Sequence, residues 1–159
     1  SSSRRDSAGP IFFVQDRVGQ DGAIFRMYKF RSMYLETPAY AFHPKSGRDP
    51  RLTPVGRWLR RLSIDELPQF INVVLGHMSV VGPRPEMPFI VDKYTDLQRA
   101  RLRVKPGITG LWQISADRSK MIHENMDYDL FYVYNRGLLL DFIIILETCF
   151  TVLRGVGAF

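Results

Sequence analysis

Two neighbouring carboxylates, Asp65 and Glu66, stand in Ser63-Ile64-Asp65-Glu66, just after Arg57, Arg60 and Arg61. At the start of a helix, free N–H groups and a partial positive charge attract phosphate. The same field lowers a carboxylate pKa and keeps Asp65 ionised, ready to act as nucleophile or metal ligand. Adjacent helical residues do not face each other, so two working carboxylates would have different roles. The residues also fit a second reading. Ser63-x-x-Glu66 matches a capping box, in which both side chains only satisfy backbone donors. Asp65 could itself be the cap, and Pro68, awkward deep in a helix, favours that later start.

Cations recur in three places. In Lys29-Phe30-Arg31, a strand would put Lys29 and Arg31 on one face and Phe30 toward the core. That face could hold a diphosphate, or be a solvated edge where Lys discourages aggregation. In Gly82-Pro83-Arg84-Pro85 the prolines stiffen the backbone around Arg84, whose guanidinium can grip phosphate oxygens in bidentate fashion. A structural turn fits the same residues. Lys105-Pro106-Gly107-Ile108-Thr109-Gly110 lacks the Gly-Lys-Ser/Thr ending of a Walker loop. His43, His77 and His123 lack metal-ligand spacing, which argues against zinc.

These side chains need elements to position them. Ile11–Val14 and Ile24–Phe30, separated by Gly19-Gln20-Asp21-Gly22, predict a β-hairpin. Residues 36–52 read as a surface loop. Thr53-Pro54 opens a helix with Val55, Trp58, Leu59 and Leu62 as its apolar stripe and the arginines off it. A second helix carries Leu67, Phe70, Ile71, Val74 and Leu75, and Gly76 ends it. Prolines make 79–88 an extended loop. Further helices are expected over 88–102, 119–134 (with His123 and Glu124 on its surface) and 138–153, and a short strand over 108–114. The last helix is interrupted by Asp141 and Glu147. It suits either a core position or the plane of a bilayer interface.

The chain has 159 residues, a net charge of +6, 45% hydrophobic and 24% charged residues. One domain with a real core is expected, and wholesale disorder is excluded. The single Cys149 excludes a disulfide framework. No run reaches the roughly 18 apolar residues of a spanning helix. The positive balance suggests an anionic partner. Nucleic acid is not expected, because no basic recognition helix or stacking platform stands out.

Five ordered motifs resemble the bacterial sugar transferases, the monotopic phosphoglycosyl transferases: residues 9–19 (Gly-Pro-Ile-Phe-Phe-Val-Gln-Asp-Arg-Val-Gly), 27–33 (Met-Tyr-Lys-Phe-Arg-Ser-Met), 63–69 (Ser-Ile-Asp-Glu-Leu-Pro-Gln), 78–85 (Met-Ser-Val-Val-Gly-Pro-Arg-Pro) and 105–113 (Lys-Pro-Gly-Ile-Thr-Gly-Leu-Trp-Gln). The resemblance implies a mainly helical α+β domain with a β-hairpin over 9–159, after a linker at 1–8. It implies transfer of a sugar 1-phosphate from a UDP-sugar to a polyprenyl phosphate, with release of UMP and a requirement for Mg²⁺. By the same resemblance Asp65 is the nucleophile and a metal ligand, and Glu66 its dyad partner. Lys29, Arg31, Arg60, Arg118 and Pro83-Arg84-Pro85 would meet phosphates. The expected location is the cytoplasmic face of the bacterial inner membrane, and a homodimer is compatible with it. The family's membrane-inserted N-terminal helix has no counterpart before Ser1, so the chain is expected to be a catalytic fragment. Residues 113–118 (Gln-Ile-Ser-Ala-Asp-Arg) depart from the family's Gln-Val-Ser-Gly-Arg. A hydrolytic relative and a non-catalytic membrane-surface module are the alternatives.

Overall fold

The computed structural model describes residues 8–42, 44, 46–118, 120 and 126–155. The expected hairpin is present. β1 (Phe12–Val18) pairs antiparallel with β2 (Ile24–Phe30), from Phe12 opposite Phe30 to Val18 opposite Ile24. Alternation along β2 buries Phe25, Met27 and Lys29, and Arg31 continues the series. Lys29 and Arg31 therefore share a face as expected, but it is the buried face. Phe30 lies on the opposite side, stacked on Phe12 at 5.6 Å. The cause is the period of two, which puts 29 and 31 in phase with Phe25 and Met27. The solvated-edge reading falls with it.

α1 (Pro54–Arg61) begins where Thr53-Pro54 predicts, and the Thr53 hydroxyl accepts a hydrogen bond from Gly56 N at 2.9 Å. A Cβ on Gly56 would collide with the Ser32 carbonyl oxygen, so only glycine lets α1 sit this close to the chain leaving β2. Leu59 is buried, and Arg57 and Arg61 are exposed, as the stripe predicts; Trp58 is exposed and Arg60 buried, against it.

α2 (Gln69–Val74) is turned over. Leu67, Phe70, Ile71, Val74 and Leu75 are exposed, while Gln69 and Asn72 are buried. Asn72 explains this orientation. Its side chain accepts from Tyr28 N at 3.1 Å and donates to Arg26 O at 2.7 Å, replacing ladder partners along the free edge of β2.

β3 (Ser79–Val81) lies parallel to β4 (Gly107–Thr109), so residues 79–81, expected in a loop, form a strand. The expected helix over 88–102 is divided. α3 (Pro88–Val91) ends before the buried Tyr94, and Thr95 starts α4 (Asp96–Arg99) with a true capping box to Gln98. A 3-10 turn follows at Ala100–Arg103. The strand expected over 108–114 stops at Thr109, and α5 (Leu111–Ile114) takes its second half. α6 (Asp127–Asn135) and α7 (Leu138–Leu153) complete the described chain. Residues 119 and 121–125 of the expected helix over 119–134, with His123 and Glu124, lie outside the described residues, as does His43.

One core cluster joins Val81, Val104, Tyr132 and Ile144, between the parallel strands and the last two helices. A second joins Phe25, Met27 and Met78 beneath the hairpin. α7 is fixed by polar contacts beside that core. Asp141 accepts from the Tyr132 hydroxyl at 2.7 Å, and the Thr148 and Thr109 hydroxyls meet at 2.6 Å. Ile144 between them is fully buried. Leu138, Phe142, Leu146, Phe150 and Leu153 face outward, with Leu138 90% exposed. Among the described residues no helix is long and apolar enough to cross a membrane. The architecture is mixed α+β, mainly helical.

Candidate active site

α1 ends at Arg61, and Ser63 then adopts a left-handed backbone (φ 55°, ψ 20°). A non-glycine residue is uncommon there, and such strain is found where a structure over-determines a functional turn. The reversal swings the 3-10 turn Ile64–Glu66 back against β2. Asp65 becomes 2% exposed. The capping-box reading does not hold, because Ser63 makes no side-chain cap bond and Glu66 points elsewhere.

Glu66 Oε1 accepts from Arg84 Nη2 at 2.9 Å and lies 3.5 Å from Lys29 Nζ. Burial alone would raise the Glu66 pKa. Arg84, Lys29 and Arg60 outweigh it and hold the carboxyl at about 2, so Glu66 is a fixed anion. Asp65 behaves differently. Burial and the Glu66 charge push its carboxyl up, against the pull of Arg60, Lys29 and Arg84. α2 starts only at Gln69, so no helix terminus acidifies Asp65, contrary to the first reading of its surroundings. Its ionised form depends on cations. Lys29 is the adjustable one, since burial and Arg84 bring its pKa down to about 7 despite Glu66.

The structure thus gathers Asp65, Glu66, Lys29, Arg60 and Arg84 into one buried site. Pro83 and Pro85 flank Arg84 and deny that stretch two backbone donors. Arg31 is buried, its Nη1 donating to Ala8 O at 2.9 Å, and it is absent from the groups that act most strongly on Asp65 and Glu66. Arg118 sits in the turn after α5, with its backbone N 3.5 Å from Ser115 O. It is absent from the groups that act most strongly on Asp65 and Glu66.

Two buried arginines went unread in the sequence. Arg17 Nη1 donates to Pro85 O at 2.9 Å, and Arg101 Nη2 donates to Arg84 O at 2.6 Å. Arg101 also pairs with Asp129 at 2.6 Å. The available signal was the strand period, which puts Gln15 and Arg17 together on the buried side of β1.

The donor set bears on a metal. Among the described residues no three His, Cys, Asp or Glu side chains gather as a cage. Asp65 Oδ1 is nonetheless buried with no hydrogen-bond partner. One free carboxylate oxygen suits Mg²⁺, which commonly takes one or two protein carboxylates and completes its shell with phosphate and water.

The family described as bacterial sugar transferase matches residues 2–155. The chain belongs to the bacterial sugar transferase family. It is 43% identical over 166 residues to the galactosyl transferase CpsE of Streptococcus agalactiae serotype III, covering 97% of this chain and 37% of that protein. It is 39% identical over 166 residues to the undecaprenyl-phosphate galactose phosphotransferase of Salmonella typhimurium, covering 95% of this chain and 35% of that protein. It is 37% identical over 166 residues to the exopolysaccharide production protein ExoY of Sinorhizobium fredii, covering 95% and 74%. The chain therefore spans little more than a third of the first two relatives. In this sugar transferase chain the segments that carried the resemblance, 27–33, 63–69 and 78–85, supply Lys29, Asp65, Glu66 and Arg84 to one site.

Proposed function

We propose that the protein transfers a sugar 1-phosphate from a UDP-sugar to a polyprenyl phosphate. Asp65 is the nucleophile. Its carboxylate oxygen forms a bond to the phosphorus attached to the sugar. The bond from that phosphorus to the bridging oxygen breaks, and UMP leaves with the electron pair. An oxygen of the polyprenyl phosphate then attacks the same phosphorus, and the Asp65–phosphorus bond breaks. The products are a polyprenyl diphosphate sugar and a regenerated Asp65. The observation that carries this reading is the asymmetry of the dyad: Glu66 is tied to Arg84 and Lys29, while Asp65 keeps an unpartnered oxygen among cations.

Each neighbour has a task. Glu66 holds Arg84 and Lys29 at the site as a permanent anion. Arg84, Arg60 and Lys29 offset the charge that collects on the transferring and departing phosphates. Their field also draws the proton off Asp65 when the free site ionises. Mg²⁺, when bound, would be held by Asp65 and would lessen the repulsion between carboxylate and diphosphate.

The acceptor class is that of relatives such as the UDP-glucose:undecaprenyl-phosphate glucose-1-phosphate transferase of Escherichia coli. A lipid acceptor also makes sense of the outward apolar faces of α2 and α7. These faces would lie in the interface of the membrane, at its cytoplasmic side where nucleotide sugars are available. The end of α7 comes close to α1: a Cβ on Gly155 would lie 3.1 Å from Arg61 Nε, one residue from Arg60.

The test is UMP release by the full-length protein in membranes, with polyprenyl phosphate, Mg²⁺ and a panel of UDP-sugars. Wild type should release UMP with one donor and Asp65→Asn should not. Mass spectrometry of a donor-only reaction should place a sugar phosphate on the peptide containing Asp65. An active Asp65→Asn enzyme overturns the reading.

A further inference from the structure

The segment that presents Arg84 is held in an unusual way. Its backbone carbonyls, from Pro83 to Glu86, each have a donor from elsewhere in the chain. Gly107 N donates to Pro83 O at 2.9 Å and Val18 N to Glu86 O at 3.0 Å. Between these two backbone donors, the carbonyls of Arg84 and Pro85 are taken by buried guanidinium groups, of Arg101 and Arg17. A neutral donor would suffice to satisfy a carbonyl. A buried guanidinium is a costly substitute unless its charge is also used.

Both arginines are themselves held. Arg101 donates to Asp129 and, at 2.5 Å, to the Tyr94 hydroxyl. Arg17 Nε donates to Gln15 Oε1 at 2.8 Å. Arg17 also lies close enough to Arg84 for the two charges to oppose each other. That repulsion disfavours Arg84 conformers directed toward Arg17, and attraction to Glu66 favours the observed one.

We propose that Arg17 and Arg101 are positioning residues for Arg84: they clamp two successive carbonyls of its proline-bounded segment and so set the direction of its guanidinium toward Glu66. The inference deepens the proposed function, on which it rests for the role of Arg84. The clamp joins three distant parts of the chain, β1, the 3-10 turn at 100–103 and the loop after β3. It explains how a loop without a regular ladder can hold one side chain in register with a carboxylate eighteen residues earlier.

Loss of Arg101 alone would strand Asp129 in the interior, so the informative variant is Arg101→Met with Asp129→Leu. Arg17→Lys keeps the charge and removes the fork. Both are made in the full-length protein in nanodiscs, with and without Arg84→Gln. The clamp variants should lower kcat by about a hundredfold, the effect of a small misplacement of a catalytic group, with a far smaller change in KM. In the Arg84→Gln background they should cost little more, because the effect runs through Arg84. A second readout needs no turnover. With ¹⁵N-labelled arginine, and the Arg84 side-chain signals assigned by their loss in Arg84→Gln, the Arg84 guanidinium resonances should shift and broaden in the clamp variants as the side chain loses its fixed contact with Glu66. Folded clamp variants with unchanged Arg84 guanidinium resonances overturn the proposal. Losses that simply add to that of Arg84→Gln also overturn it. If wild type releases no UMP, the functional reading fails, and the Arg84 resonances still decide the clamp.

Discussion

Asp65 and Glu66 are adjacent in the chain and opposite in electrostatic condition. Glu66 takes a 2.9 Å hydrogen bond from Arg84 and is held at about 2, whereas Asp65 keeps a bare Oδ1 and is pushed upward by burial and by its neighbour. Environments that drive two titratable groups apart assign them separate tasks.

The two neutralising substitutions should therefore act oppositely on stability. Glu66→Gln leaves Arg84 and Lys29 buried without their anion and should cost about 3 kcal/mol. Asp65→Asn removes a carboxylate whose charge burial disfavours, and should leave the unfolding midpoint equal to or above that of wild type. Chemical denaturation at pH 7 checks both, while both variants should lose turnover.

Acid should weaken the fold through Glu66. Its folded pKa, about 2, lies below the ordinary 4.5. The stabilisation is thus complete above the ordinary value and drains away as pH falls toward 2. In a comparison of wild type with Glu66→Gln, the stability gap should narrow on acidification across that window. A gap independent of pH would contradict the Glu66 assignment.

Binding of an anionic donor near neutral pH should take up protons. Lys29, at about 7 in the free site, is partly neutral there, and a diphosphate beside it favours the charged form. Calorimetric titration with a UDP-sugar, in buffers of differing ionisation enthalpy, should show net uptake at pH 7.5. Lys29→Arg, which stays charged, should reduce it.

Gly56→Ala should harm both stability and activity. Its methyl would strike the Ser32 carbonyl, and α1 would shift to relieve an overpacking cost of about 1–3 kcal/mol. Arg60, four residues on, would move with the helix. Lower thermal midpoint and lower turnover together are expected. A fully active Gly56→Ala enzyme would mean that α1 need not sit as described.

Phe142→Glu on α7 should leave the unfolding midpoint almost unchanged, because Phe142 is exposed. Sedimentation with phosphatidylethanolamine–phosphatidylglycerol vesicles should fall. Undiminished sedimentation would remove α7 from the membrane interface.

Local signals in the sequence were reliable where one element suffices. The hairpin turn, the Thr53-Pro54 start and the extent of α7 all follow from neighbouring residues. Asp65, Glu66 and Arg84 stand out in the sequence as residue types that could act together, and the structure brings them to one place. What stayed hidden was which way elements face. The apolar spacing marks a stripe without saying what it meets: α2 docks through Asn72 and leaves its stripe exposed, and α7, for which the sequence leaves core and bilayer interface both open, makes its polar contacts through Asp141 and Thr148. β3 and β4 are three residues each and pair across 28 positions, too short and distant for a pattern to announce. Arg17 escaped notice because its partner carbonyl lies 68 residues away. The capping box at Ser63 matched in spacing, but the motif cannot register a left-handed residue at its head.

The helix α7 is keyed by two hydroxyl contacts. The Thr148–Thr109 and Tyr132–Asp141 contacts fix its rotation about its own axis. Water competes for such bonds, and a medium of low polarity strengthens them. Transfer of the outer face from water into lipid should therefore tighten the inner seam. A surface that wets poorly thus becomes the condition under which this domain is most rigid.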